Sequence, residues 1–198
     1  MLAILMPAAG ASKRMMGRDK LTEFVDGVPL LARQVARALA TGSPVFVTMR
    51  TDRPARMDAL SGLACPKLTC VPVDAPDAGL SASLRAGVQA LPNTVDRLMI
   101  LLPDLPDIET DDLDGMIRAH DAYPQAVLRG CAENGTPGHP VIFPRAWFDR
   151  LRTLNGDIGA GALLKQAEPR LHALIGMRAL TDLDTPEAWK AWRSQNGQ

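Results

Sequence analysis

The sequence predicts a single-domain α/β protein with a mostly parallel, open sheet and helices on both faces. Short apolar runs, typical of buried parallel strands, recur at residues 2–6, 45–49, 68–71 and 97–102. Between them lie stretches with helical spacing or helix-start signals. The 198 residues suffice for one sizeable α/β core but not for two comfortable domains.

The first apolar run leads into a loop of small residues. Residues 7–12 read Pro-Ala-Ala-Gly-Ala-Ser, which lets a ligand approach the backbone, and a basic cluster follows. The cluster consists of Lys13, Arg14, Arg18 and Lys20. Exposed amides and cations at the carboxyl end of a first strand indicate a polyphosphate site, because ligands bind at this edge of open α/β sheets. The alternative is an ordinary surface turn with solvated charges.

This loop is neither of the two best-known phosphate loops. Gly10 and Gly17 are separated by six residues and Lys20 precedes a leucine, so the Walker pattern is absent. The dinucleotide fingerprint GxGxxG is also absent, which disfavours a dehydrogenase.

Turn and helix-start signals define the next elements. Asp26-Gly27 predicts a turn, and apolar residues at helical spacing predict a helix over residues 28–40. Pro54 is suited to begin a short helix that runs through Leu60.

A helix over residues 79–87 offers a second candidate site. Its serines can cap the helix, and free amides and Arg85 then lie at one helix entrance, where an anion or a ribose would bind. The alternative is a plain helix start whose arginine reaches solvent.

The apolar run at residues 97–102 ends on two acids, Asp104 and Asp107. An acid directly beyond a buried parallel strand lies at the ligand-binding edge of the sheet. Mg²⁺ prefers one or two carboxylates together with phosphate oxygens and water. Asp104 is therefore the first choice as a metal ligand, and Asp107 is the rival, whose alternative role is to help start the following helix.

The second half of the chain has weaker patterns. They predict a strand over residues 125–129 and a helix from Pro144 through Leu151. His139 lies beside a glycine-rich loop, although a lone histidine is more often a structural hydrogen-bonding group than a catalyst. Asp157 is placed to cap a later helix.

Near the end, residues 180–189 alternate acids with apolar residues before a helix that Thr185 can cap and Pro186 can start. Asp182 and Asp184 point to the same side of an extended segment. Capping accounts for one acid, but less well for both.

Several separated motifs together resemble the molybdenum cofactor cytidylyltransferase branch of the MobA-like nucleotidyltransferases. They are AAGxSxRM with a following Gly and Lys, GLSxSLRAG, GHPV, GDxGAxxLL and DxDTPE, and they occur in the family's order across nearly the whole chain. The resemblance implies the nucleotide-diphospho-sugar transferase type of fold. It also implies the transfer of CMP from CTP to molybdopterin with release of pyrophosphate and with Mg²⁺ as cofactor.

The resemblance assigns roles to positions of this chain. Arg14 and Lys20 neutralise the triphosphate, while Asp104 and Asp184, with Asp182 second, hold the metal. Nucleotide binding falls on Ala8, Ala9, Gly10, Ser12, Ser83 and Arg85, and acceptor binding falls on His139 and Asp157. Residues 1–107 form the nucleotide-binding part and residues 108–198 the acceptor-binding part. A molybdoenzyme or its cofactor-insertion chaperone is the implied protein partner.

The sequence departs from the family at Met16, where relatives usually have a second small residue, and at Pro7, where an aliphatic residue is usual. The GTP-using branch generally has a Gly where this loop has Ala9, which favours cytosine. Three alternatives stay open: a GTP-using transferase, a transferase for another small phosphorylated acceptor, and an inactive nucleotide-binding regulatory module.

Composition limits the partners and the compartment. Lys plus Arg and Asp plus Glu number 22 each, so the overall charge gives no reason to expect nucleic acid or an anionic membrane. Three cysteines without CxxC spacing argue against a disulfide framework and a structural zinc site. The apolar amino terminus is too short for a signal peptide core. We therefore expect a cytoplasmic protein.

Overall fold

The computed structural model describes residues 1–73, 79–154 and 159–197. Within these ranges, a sheet of seven strands has the order β5-β4-β1-β6-β8-β7-β9, and a two-stranded hairpin, β2-β3, lies apart from it. The strands are β1 (Leu2–Ala8), β2 (Phe24–Val25), β3 (Val28–Pro29), β4 (Val45–Met49), β5 (Leu68–Pro72), β6 (Arg97–Ile100), β7 (Leu128–Cys131), β8 (Pro137–Pro144) and β9 (Arg170–Ala173).

The sheet is mostly parallel, as predicted. Strand β1 is parallel to both neighbours, β4 and β6, and the pairs β4-β5 and β7-β9 are parallel too. Strand β8 is antiparallel to β6 and to β7. The turn between β7 and β8 is tight and closed by a bond from Ala132 N–H to Thr136 O. Such a short connection permits only an antiparallel pair.

Helices cover both faces of the sheet, which confirms the predicted layers. They are α1 (Leu30–Ala40), α2 (Pro54–Leu60), α3 (Gly79–Gln89), α4 (Thr110–Asp121), α5 (Phe148–Arg152), α6 (Gly159–Ala167) and α7 (Pro186–Gln195). Apolar residues of α1, α2 and α4 form one core with Ile4 and Met6, while α3, α5 and α6 form the other with Ala3 and Leu5. Burial on both faces explains the unbroken apolar run in β1.

Two helix starts differ from the prediction. The helix predicted over residues 28–40 begins at Leu30, because Val28–Pro29 pairs with Phe24–Val25 around the Asp26-Gly27 turn. Pro144 does not begin a helix: it ends β8, a 3₁₀ turn over Arg145–Trp147 follows, and α5 starts at Phe148.

Strand bounds differ as well. The strand predicted over residues 125–129 lies at Leu128–Cys131, and β6 stops at Ile100. The helix starts at Pro54 and at Pro186 are confirmed, with Thr185 Oγ1 accepting a 3.2 Å bond from Ala188 N–H. Asp157 lies outside the described residues, so its predicted capping role stays a prediction.

In the part of the chain that the structure describes, no helix combines the length and apolar character needed to cross a membrane. Cys65, Cys70 and Cys131 are all free thiols.

Candidate active site

A cleft of about 490 Å³ opens at the carboxyl ends of β1 and β6. Gly10 and Ser12 line it from the first loop, Ser83 lines it from α3, and Asp104 and Asp184 line it as well. The structure thus brings together a loop, a helix and acids that lie far apart in the sequence, from Gly10 to Asp184. This is the edge of an open α/β sheet at which ligands bind.

Lys20 lies between the two acids. Its Nζ donates a 2.5 Å bond to Asp104 Oδ2 and a second bond to Asp184 Oδ1. All three side chains are largely buried, with 13–17% of each exposed. Burial alone would lower the pKa of Lys20, but the charges of Asp104 and Asp184 and their hydrogen bonds outweigh it, so that pKa is raised.

Arg14 completes this charged set. It pairs with Asp184 through Nη2, yet 71% of its side chain is exposed, so it remains free to contact a ligand. Asp182 also lines the cleft. Partial burial and the nearby charges of Asp184 and Asp104 raise its pKa. Three cations, Lys13, Arg14 and Lys20, therefore line the cleft together with the three acids.

The acids suit a hard divalent cation. Asp104 Oδ1 is buried and has no hydrogen-bond partner among the described residues, an arrangement that leaves a carboxylate oxygen available as a ligand. No group of three or more His, Cys, Asp or Glu side chains forms a ready-made metal cage in the described part of the chain. Mg²⁺ needs only one or two carboxylates when phosphates and water supply the rest, so Asp104 and Asp184 fit it.

The first loop contains left-handed backbone positions and is anchored by one buried methionine. Ser12 and Met16 adopt left-handed φ of 51°, and Gly17 follows at 86°. Met15 is completely buried among residues of the hairpin, α1 and the C-terminal segment, namely Val25, Leu30, Leu183, Trp189 and Trp192. Met16 instead is 81% exposed. The loop is therefore anchored by Met15, and the side chain of Met16 contributes no buried contact.

The two alanines before Gly10 lie beneath the cleft and do not line it. Ala8 is fully buried, and Ala9 packs with Val73 and Ala82. Gly10 is exposed, and a Cβ added there would meet nothing within 4 Å, so the cleft is open at this position.

Arg85 lies away from the cleft. Its Nη1 donates to the carbonyl of Leu154, and it borders a different groove with Val71 and Gln89. Positions 83 and 85 of a helix point about 200° apart, so Ser83 faces the cleft while Arg85 does not. Asp107, the rival metal acid, accepts a 2.8 Å bond from Trp192 Nε1 and lines another groove.

His139 is held neutral behind the Asp104 wall. Burial, helped by the positive charge of Arg129, lowers its pKa to about 4. Its Nδ1 is buried without a partner among the described residues, and its backbone N–H donates a 3.0 Å bond to Ala179 O. Asp157, the other predicted acceptor residue, lies outside the described residues.

Two residues of this region were not anticipated from the sequence. Asp19 and the fully buried Arg56 form a two-bonded ion pair directly beneath the loop. Asp19 could have been noticed from the sequence, because it directly precedes Lys20. Arg56 follows Arg50 and Arg53 at intervals of three residues. Charged residues at such spacing usually face solvent, which is why burial of Arg56 could not be foreseen.

An open α/β sheet whose carboxyl edge combines a small-residue cationic loop with acids has the features of a site for a polyphosphate ligand such as a nucleotide. Residues 4–171 match the MobA-like NTP transferase domain. The chain belongs to this family, which is a family of nucleotidyltransferase enzymes.

Individual relatives support the assignment. The probable molybdenum cofactor guanylyltransferase of Natronomonas pharaonis is 28% identical over 148 residues, which cover 74% of this chain and 64% of that protein. The chain thus spans somewhat under two thirds of that relative. The purine catabolism protein PucB of Bacillus subtilis is 26% identical over 196 residues, which cover 92% of this chain and 91% of PucB.

The fold is shared with solved structures. Rv0371c of Mycobacterium tuberculosis H37Rv superposes with a TM-score of 0.83 at 23% identity, covering 98% of this chain and 97% of that one. A complex of Rv0371c with manganese gives a TM-score of 0.76 at 22% identity, covering 96% of each chain. The predicted fold and family are confirmed, and the comparisons do not distinguish the cytidylyl branch from the guanylyl branch.

Proposed function

We propose that this protein transfers a nucleoside monophosphate from a nucleoside triphosphate to a small phosphorylated acceptor, with CTP and molybdopterin as its substrates. The observation that carries the proposal is the grouping of Lys20, Asp104 and Asp184 in one cleft beside an open, small-residue loop. An inactive regulatory module has no need for this partly buried charged set.

The reaction needs positioning and charge neutralisation more than proton transfer. A phosphate oxygen of the acceptor attacks the α-phosphorus, the bond from that phosphorus to the bridging oxygen breaks, and pyrophosphate leaves. The attacking oxygen is already anionic near neutral pH, so no general base is required. Lys20 and the exposed Arg14 lie where they can neutralise the triphosphate and the departing pyrophosphate.

Asp104 and Asp184 are the residues that would hold Mg²⁺. Asp104 offers its unpartnered Oδ1, and both carboxylates already share one cation, the ammonium of Lys20. When bound, Mg²⁺ supplies charge neutralisation at phosphate oxygens. A mycobacterial protein of the same fold forms a complex with manganese, which agrees with the use of a divalent cation.

The choice of CTP rests on one position. Ala9 stands where the GTP-using branch generally has glycine, and its methyl group packs on Val73 and Ala82. GTP is the second candidate, favoured by the relative described as a probable guanylyltransferase.

We further propose a division of labour along the chain. Residues 1–107 bind the nucleotide, and residues 108–198, including His139, bind the acceptor. A molybdoenzyme or its insertion chaperone then receives the product. The free thiols favour a reducing cytoplasm as the compartment.

Pyrophosphate release tests the proposal. The purified protein is incubated with Mg²⁺, molybdopterin and each of the four nucleoside triphosphates in turn. We expect release with CTP, and release with GTP alone would establish the second candidate. Absence of release with every triphosphate would contradict transfer to this acceptor.

A further inference from the structure

Arg56 is an arginine with no exposed surface. It belongs to the short helix α2, and its guanidinium forms a fork with Asp19: Nε donates to Oδ2 at 2.7 Å and Nη2 donates to Oδ1 at 2.9 Å. Such bidentate pairs fix the relative orientation of the two side chains, besides balancing their charges. A fully buried arginine is costly unless its donors are satisfied, so this arrangement requires an explanation.

The same guanidinium reaches the beginning and the middle of the first loop. Nη1 donates to the carbonyl of Ala8, the last residue of β1, and Nη2 donates to Ser12 Oγ at 3.2 Å. Ser12 Oγ in turn donates to Asp19 Oδ1 at 3.3 Å. Arg56 therefore contacts the loop at its entrance, at its left-handed residue Ser12 and at its exit.

Asp19 connects this pair to Lys20. It directly precedes Lys20, and its Oδ1 accepts a 3.1 Å bond from the backbone N–H of Leu21, the residue after it. The backbone on both sides of Lys20 is thus fixed by one carboxylate, and that carboxylate is fixed by Arg56. Burial would raise the pKa of Asp19, but the hydrogen bond and charge of Arg56 outweigh it and keep the acid ionised.

We propose that Arg56 is a positioning residue for triphosphate binding, which acts through Asp19 to hold the loop and Lys20 in their binding geometry. The inference rests on the proposed function of this cleft. A loop fixed before the ligand arrives does not lose conformational freedom on binding, and this increases affinity. Fixing Lys20 also matters for turnover, because a misplacement of about 1 Å in an active site costs about 10²-fold in rate.

The geometry separates this role from simple neutralisation of a buried acid. Lysine at position 56 keeps the charge but lacks the planar fork, so it cannot bond Asp19, Ala8 and Ser12 together. If Arg56 serves only to neutralise Asp19, Arg56→Lys binds triphosphate as well as the wild type does. If Arg56 orients the loop, Arg56→Lys and Asp19→Asn share the same defect.

The test compares Arg56→Lys, Asp19→Asn and a control, Arg145→Lys, by calorimetric titration with inorganic triphosphate. Arg145 donates to the carbonyls of Asn93 and Val95, both at 2.8 Å, at the opposite edge of the sheet. We expect Arg56→Lys and Asp19→Asn each to bind triphosphate at least about tenfold more weakly than the wild type does. The control should bind triphosphate like the wild type. In steady-state assays the KM for nucleotide rises and turnover falls, while the KM for the acceptor is unchanged.

Thermal unfolding identifies any variant that fails to fold. If Arg56→Lys fails to fold, the comparison rests on Asp19→Asn, because asparagine has nearly the same shape as aspartate. Equal triphosphate affinity in the wild type and a folded Asp19→Asn variant would overturn the positioning role. Absence of triphosphate binding by the wild type itself would instead contradict the proposed function of the cleft.

Discussion

The ammonium of Lys20 lies 2.5 Å from the carboxylate of Asp104, although Asp104 comes 84 positions later in the sequence. Lys20 ends the loop after β1, and Asp104 follows β6, the strand hydrogen-bonded to β1. Lys20 also donates to Asp184, so its charge lies between the two acids that would hold a metal ion. We therefore expect the lysine and a divalent cation to compete for the same two carboxylates.

Removing Lys20 should strengthen cation binding by the nucleotide-free protein while it weakens catalysis. In Lys20→Met the two acids repel each other without a counter-ion, so we expect tighter binding of Mn²⁺, measured by electron paramagnetic resonance. Turnover should fall by about 10²–10³-fold, as when other electrostatic donors are removed. Lys190→Met, an exposed change on α7, serves as the control. Unchanged Mn²⁺ affinity would contradict the competition.

The acids themselves should differ in importance. Asp104→Asn removes a carboxylate with a buried, unpartnered oxygen, so we expect it to weaken Mn²⁺ binding in the presence of nucleotide by at least about tenfold. Asp182→Asn is the matched change at an exposed acid of the same cleft and should have a smaller effect. Equal effects of the two substitutions would reject Asp104 as the principal ligand.

The segment that carries the C-terminal acids depends on close backbone contact at Gly138. A Cβ at this position would lie 2.1 Å from Ala179 O, in the same contact region as the bond from His139 N–H to that oxygen. Gly138→Ala should therefore lower the free energy of unfolding by about 1–3 kcal/mol, the range for overpacking. Gly62→Ala, where nothing lies within 4 Å, is the control in denaturant titrations. Equal stability of both variants would show that the contact relaxes without cost.

His139 should make stability depend on pH. Its pKa falls from 6.5 in the unfolded chain to about 4 in the fold. Between these values the unfolded state binds more protons, so stability decreases as pH falls from 6.5 toward 4, by about 3 kcal/mol from this group. Arg129 opposes its protonation, and Asp104 favours it. Wild type and His139→Gln are compared by denaturant titration across this range, and parallel curves would contradict a depressed pKa.

Much of the fold follows from local patterns. The unbroken apolar run of β1 identified a strand buried on both faces, and proline at positions 54 and 186 located two helix starts. Pro144 misled because the same residue type also suits the end of a strand, and pairing with Arg97 extended β8 to it. The antiparallel direction of β8 was not predicted either. It depends on the tight turn between β7 and β8, and the spacing of apolar residues does not reveal the hydrogen bond that closes this turn.

The candidate site was only partly predictable. Motif position and strand ends led to Lys20, Asp104 and Asp184, which the structure places together. Arg85 was assigned from its place near a predicted helix entrance and from the GLSxSLRAG motif, but its position on the helix turns it to Leu154. Arg56 lay beyond prediction, because its burial depends on an acid 37 residues earlier in the chain.

Labelled phosphates distinguish nucleotidyl transfer from simple hydrolysis of the triphosphate. The protein is supplied with Mg²⁺, molybdopterin and CTP that carries a radiolabel in either the α- or the γ-phosphate, and the products are separated by chromatography. The proposal predicts the α-label in a molybdopterin dinucleotide and the γ-label in pyrophosphate. A γ-label recovered as inorganic phosphate, with the α-label still in a free nucleotide, would contradict nucleotidyl transfer.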